Sequence, residues 1–234
     1  MDLLLMVTMI SRRKISALLV VWVFIFVQKV DAQTTDFRVR AGVGVEKEIT
    51  KKISFNFDYE HRFDHNLTTF DKAFAEVSLS YNLSKAFKVG GLWRYMYDMD
   101  EKRRFSTGHR AAGYIRYKKE VGDFDLKLKT MLQYGFDDLS VQRSGNEKLI
   151  NRNSLGVDYN WFGTKFTPFA EYEFFYFIND PNGGIINQTR AKAGLSYKLS
   201  KASEVTLFYM FEHEFNTSSP VDAHIVGCGY NFKF

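Results

Sequence analysis

Apolar side chains recur at every second position through most of the chain after residue 36, and polar or charged side chains fill the alternate places. That period of two predicts strands with one apolar and one polar face. The clearest run is Phe124, Leu126, Leu128, Thr130, Leu132, Tyr134 and Phe136, opposed by Asp125, Lys127, Lys129 and Gln133. Comparable segments cover residues 37–46, 53–63, 73–81, 87–97, 111–117, 155–161, 166–178, 191–199, 205–215 and 223–234, which makes eleven in all. The last one alternates Val226, Cys228, Tyr230, Phe232 and Phe234 against Gly227, Gly229, Asn231 and Lys233. A water-soluble domain rarely ends on its most apolar edge, whereas a closed barrel needs its final strand fully paired.

Connections between the segments alternate in length. Short polar turns fall near 49–52, 82–85, 119–123, 162–165 and 200–203, and longer ones near 64–70, 99–106, 137–150, 179–188 and 216–222. Transmembrane barrels have short periplasmic turns and longer external loops, so the alternation assigns sides. Seven alternating apolar positions span roughly 43 Å of strand, enough for a tilted membrane crossing. The expected fold is therefore an all-β, small antiparallel transmembrane barrel. Because bacterial single-chain barrels have an even number of strands, ten or twelve are expected. Either residues 37–46 lie in the lumen or as a partial strand, or a further short strand escapes the pattern.

Composition narrows the class. The 23 Phe and 13 Tyr beside 3 Pro favour sheet, and a mean hydropathy of -0.26 excludes a bundle of membrane-spanning helices. Arg12, Arg13 and Lys14, an apolar run over 15–27 and the small-residue site Val30-Asp31-Ala32 predict a secretory leader over 1–32, cleaved near Ala32, ahead of a barrel over 33–234. Met9 is a candidate alternative start. Beyond the leader the chain keeps 28 basic and 25 acidic residues, a net of +3 without a basic stripe, so no nucleic-acid partner is expected. The lone Cys228 lies in the apolar row and reads as a packing or lipid-facing thiol.

An aromatic terminus with aromatics two and four places before it, Tyr230, Phe232 and Phe234, resembles the outer-membrane barrel assembly signal. Together with Tyr59-Glu60-His61-Arg62-Phe63-Asp64 and Tyr81-Asn82-Leu83-Ser84-Lys85, it gives the chain a resemblance to a family of uncharacterised outer-membrane β-barrel proteins found mainly in Bacteroidota. The resemblance implies that fold, a place in the outer membrane of a Gram-negative bacterium, and dealings with membrane lipid and the barrel assembly machinery. It carries no residue roles. Tyr81 to Lys85 recurs as Tyr197-Lys198-Leu199-Ser200-Lys201, with a looser echo at Glu48-Ile49-Thr50-Lys51, which points to a repeated hairpin unit.

With the apolar rows facing lipid, an ion-pair network is expected inside: Arg38, Arg40, Asp58, Glu60, Arg62, Glu76, Lys88, Arg94, Lys127, Glu171, Glu173, Arg190, Lys192, Glu212 and Glu214. Arg110, Arg116, Asp125, Lys129 and Asp158 fall on the same polar rows. Charges in so narrow a space must pair, because an unpaired charge at low dielectric is costly. Phe169, Phe175, Phe177 and Phe208 also point inward and argue against a wide channel. The expected function is structural, surface-binding or a narrow passage for a small solute, with no cofactor and no metal. The alternative is an interfacial lipid hydrolase or acyltransferase at the outer mouth, for which His61, His213 with Ser218, and His109 with Ser106 are the candidates. No orienting acid is evident beside them.

Overall fold

The computed structural model describes residues 34–64, 66, 68–99, 105–137, 148–180, 183–216 and 220–234, apart from the side chains of residues 136 and 137. The leader expected over 1–32 lies outside them. All the described residues belong to one unit, Thr34–Phe234. It consists of strands β1 (Thr34–Glu48), β2 (Ile53–Asp64), β3 (Thr69–Asn82), β4 (Phe87–Met99), β5 (Phe105–Val121), β6 (Phe124–Asp137), β7 (Lys148–Tyr159), β8 (Phe166–Phe177), β9 (Ile185–Lys198), β10 (Ser203–Glu214) and β11 (Val221–Lys233). Each hydrogen-bonds to the next, and β1 pairs with β11 to close the barrel.

The count of eleven corrects the expectation of ten or twelve. With an odd number, β1 and β11 run in the same direction, and they pair in parallel from Thr34↔Val221 to Glu46↔Lys233. Every other neighbouring pair is antiparallel, so the barrel is mixed. Residues 37–46 are thus a full wall strand, not a plug. The seam continues past the register, where the Phe234 amide donates to the Glu46 carbonyl at 3.0 Å and the Glu48 amide to the Phe234 carbonyl at 3.2 Å. Tyr230 and Phe232 stand opposite Val43 and Val45 on the outer face of this seam.

The faces are sorted as a lipid-facing barrel requires. Leu79, Ile115 and Leu207 on the outside are 54%, 50% and 59% exposed, whereas Arg40, Gln133 and Glu212 on the inside are 7%, 3% and 3% exposed. A small water-soluble barrel sorts them the other way. A polar patch interrupts the outer wall where the Asn151 amide donates to Thr130 Oγ1 at 3.3 Å and to the Met131 carbonyl at 3.4 Å. Those bonds satisfy polar groups that hydrocarbon cannot.

The repeated turn sequences share a cause. At one end of the barrel Ser84 Oγ accepts from the amides of Ala86 and Phe87, at 3.1 and 3.0 Å, and Thr50 Oγ1 accepts from Lys52 and Ile53, at 3.2 and 3.0 Å. Ser200 Oγ repeats the bond with Ala202 at 3.1 Å. A hydroxyl that bonds amides two and three places on supplies the turn with partners the sheet cannot give.

Close packing inside is selective. A Cβ on Gly194 would press on the Leu207 carbonyl and come within 2.7 Å of the Phe169 ring and 2.8 Å of Phe208 Cβ, whereas one on Gly229 would meet nothing within 4 Å. Gly194→Ala should therefore destabilise the barrel by about 1–3 kcal/mol through overpacking. Gly229→Ala should stay within about 0.5 kcal/mol of wild type. Urea unfolding followed by the heat-modifiable gel shift measures both, and equal effects would contradict the inner packing described.

Candidate functional site

The inward rows meet in a belt of alternating charge. Glu212 on β10 is its hub: Arg190 Nε donates to it at 2.6 Å, Arg38 Nη1 at 3.2 Å and Arg40 Nη2 at 3.4 Å. Arg190 lies directly opposite both Glu212 and Glu173, so one guanidinium joins β8 to β10. Glu173 also holds Arg152 through both carboxylate oxygens, at 2.8 and 3.0 Å. Glu171–Lys192 and Glu76–Arg94, each at 2.7 Å, are cross-strand pairs, and Glu60–Arg62 at 2.6 Å lies along one strand. Lys127 pairs with Asp158 nearer the short turns. Shared carboxylates and bidentate geometry make such pairs strong where water is scarce.

Aromatic rings occupy the spaces between the charges. Arg94 and Arg62 lie 3.7 and 5.1 Å from the centroid of Phe74, and Arg152 and Arg190 lie 4.7 and 4.5 Å from that of Phe175. Guanidinium groups are held on ring faces this way. Above these rings a cavity of about 760 Å³ lies toward the long-loop end, lined by eleven basic and seven acidic side chains. A second space of about 230 Å³, containing Asp58, Glu76 and Asn231, lies toward the short turns. Phe74, Phe208, Glu60 and Arg94 line both, so the two rings and these two charged side chains stand between them. Phe208 is seated there by Gly194 and Gly227, whose missing side chains leave room for its ring. Ile225, Ala223 and Met210 extend the apolar packing beside it.

The expected network thus comes together, with exceptions. Asp58 and Lys88 sit on inward rows but form no ion pair among the described residues. Glu214 lines the mouth of the larger cavity. Phe169 and Phe177 do point inward.

The histidine candidates all lie on the outer wall. His61 Nε2 meets Tyr59 OH at 2.5 Å with Phe70 edge-on, and His109 stacks on Trp93. His109 and Ser106 occupy opposite faces of β5, because His109 opposes outward Tyr95 while Ser106 opposes Asp98 on the inner row; that pair is not brought together. His213 lies between Phe211 and Phe215, and its Nδ1 is 2.6 Å from Asp222 Oδ1. Asp222 is an orienting acid that spacing alone did not identify. Ser218 lies outside the described residues. No group of three or more His, Cys, Asp or Glu suited to a metal occurs among the described residues.

A family model described as "Protein of unknown function (DUF2490)" matches residues 38–222, from the first arginine of β1 to the start of β11. The chain belongs to the DUF2490 family. No curated protein matches it. Among solved structures it is similar to the outer-membrane expressed OmpT of Vibrio cholerae, at 11% identity and TM-score 0.41, over 74% of this chain and 61% of that one. It is similar also to the β domain of the Bordetella autotransporter BrkA, at 9% identity and TM-score 0.41, over 70% and 78%. An anion-selective porin from Comamonas acidovorans aligns at 13% identity and TM-score 0.37, over 72% of this chain and 51% of the porin. Likeness at this level lends no residue role to the DUF2490 chain.

Sequence reasoning missed Arg152 of this DUF2490 barrel. The sequence places a connection near 137–150 and starts the next strand at Leu155, because Asn151 and Asn153, on the outer row, break the apolar alternation that marks the other strands. The signal that remains is the inward row Ile150, Arg152, Ser154, which has no hydrophobic period of its own.

Removing the hub should cost more than removing any peripheral pair. Glu212→Ala leaves Arg38, Arg40 and Arg190 short of their shared carboxylate and is expected to destabilise the barrel by about 3–5 kcal/mol. Glu60→Ala, which breaks one partly exposed pair, should cost about 1 kcal/mol. Urea titrations of the folded barrel in lipid vesicles compare the two.

Proposed function

We propose that this DUF2490 member is an outer-membrane barrel, exported by a leader cleaved near Ala32 and inserted by the barrel assembly machinery in a Gram-negative bacterium of the Bacteroidota. Its long loops face outward. It works as a binding vestibule open to the outside and closed to bulk flow. The observation that carries this reading is the partition: Phe74, 5% exposed, and Phe208 stand between the charged outer cavity and the smaller inner one, and the ion-pair belt surrounds them. The outer cavity has the size of a small-molecule pocket and carries its charges on its walls. The apolar exterior supports membrane residence, since the outward rows are dominated by exposed apolar side chains and every wall strand is hydrogen-bonded on both sides.

Planar-bilayer recording tests the closure. The refolded protein should show no discrete conductance steps, and Phe74→Ala with Phe208→Ala should introduce them. Steps of porin size from the wild type would contradict the reading.

A second reading rests on one contact. His213 Nδ1 donates to Asp222, which is buried, and this leaves Nε2 free to act as a base at the long-loop rim, where lipid headgroups lie. Interfacial acyl hydrolysis would need a hydroxyl nucleophile, for which Ser218 is the candidate. On this reading His213→Ala, Asp222→Asn and Ser218→Ala each abolish fatty-acid release from outer-membrane lipids while the heat-modifiable shift is kept. Turnover that survives His213→Ala, or no release by the wild type, would remove it.

A further inference from the structure

Charge balance fails in one sector of the vestibule. On β4, β5 and β6 the inner rows set cation against cation: Arg94 opposes Arg110, and Lys88 opposes Arg116, which in turn opposes Lys129. Like charges directly across a sheet repel, so such rows are kept only where something offsets them. Nearby carboxylates are already engaged: Glu76 by Arg94 at 2.7 Å, and Glu173 by Arg152 at 2.8 Å. Arg110 and Arg116 each bury an Nε with no hydrogen-bond partner, and neither they nor Lys129 form an ion pair among the described residues. The Lys129 ammonium lies 4.7 Å from the centroid of the Tyr114 ring, a weaker partner than an anion.

Cations also face each other across β1, β2 and β3, where Arg40 opposes Arg62 and Arg62 opposes Lys72, but these hold Glu212, Glu60 and Asp98. On β8, β9 and β10 every inward arginine and lysine lining the cavity has a carboxylate within salt-bridge distance. Arg110 and Lys129 both line that cavity, which opens toward the long-loop end. A buried charge without a partner costs several kcal/mol, and an entering oxyanion would remove that cost while accepting the unused N–H groups.

We propose that the β4–β6 wall of the vestibule binds an oxyanion, the phosphate or carboxylate group of a small water-borne solute, through Arg110 and Lys129 with Arg116 behind them. This rests on the vestibule reading above and names the chemistry of its ligand. The access is through the mouth, so the group comes from a free solute and not from a lipid headgroup in the wall.

The test is calorimetric titration of the full barrel, refolded in lipid-free detergent, with inorganic phosphate and with citrate at fixed ionic strength, and then in vesicles of phosphatidylglycerol without added anion. Saturable binding in detergent is expected, weakened tenfold or more by either Arg110→Gln or Lys129→Met and unchanged by Lys51→Met, an exposed turn residue at the opposite end. Without anion, each of the two vestibule variants should unfold at a higher temperature than wild type, and the rise that phosphate gives the wild type should disappear. Two variants on different strands keep the test valid if one fails to fold. Equal affinity in wild type and variants, an equal response to chloride, or occupancy only in phosphatidylglycerol vesicles would overturn the proposal. Porin-like conductance by the wild type would instead overturn the vestibule reading beneath it, and the two failures are distinguishable.

Discussion

Complete pairing of the strand backbones is the constraint on which everything else in this molecule depends. A strand edge left open to hydrocarbon strands a row of amides and carbonyls, so the sheet must close on itself. Eleven strands joined by simple hairpins can close only if the first and last run the same way. The β1–β11 seam meets that condition with thirteen residues in register and two further backbone bonds at the terminal phenylalanine. Parallel pairing is slightly weaker per residue than antiparallel. The seam is at least as long as its antiparallel neighbours, with thirteen residue pairs in register.

Closure fixes which side of each strand faces in, and the interior follows. Apolar side chains go to the outer face, so charges are confined to a narrow lumen where they neutralise one another or remain costly. Glu212 gathers three arginines from β1 and β9, and Glu173 two from β7 and β9, so the belt ties together strands far apart in the chain. The same belt leaves little room for flow. Phenylalanine faces beneath the guanidiniums complete the partition, and the two glycines that admit Phe208 belong to this design as much as the charges do.

How far the sequence disclosed this depends on which residues carried a period. The strand Phe124–Asp137 was legible because seven alternating apolar positions have no other reading, and the inward charges of β8 and β10 followed from their neighbours. The start of β7 was hidden by Asn151 and Asn153, outward polar residues that satisfy each other and Thr130. The alternation itself shows eleven segments, and the even number expected of bacterial barrels is a regularity of known barrels and not a requirement of hydrogen bonding. Partner choice was not legible at all. Glu171 and Glu173 sit two apart on one strand, yet one takes a lysine and the other two arginines, a distinction set by register across β7, β8 and β9. The pairing of His213 with Asp222 was hidden likewise, since nine residues and a loop separate them.

The parallel seam is the most specific claim, and the chain supplies half of a direct test. Cys228, an exposed free thiol, lies opposite Ala41 on the outer face. Ala41→Cys should place a second thiol within disulfide reach, as paired Cα atoms in adjacent strands lie about 5 Å apart. Mild oxidation of the folded barrel should then link residues 41 and 228, giving a closed loop detectable as altered gel mobility that reductant reverses. Val45→Cys, about 13 Å further along the strand, should not link. No link from Ala41→Cys, or equal linking from Val45→Cys, would contradict an eleven-stranded barrel closed in this register.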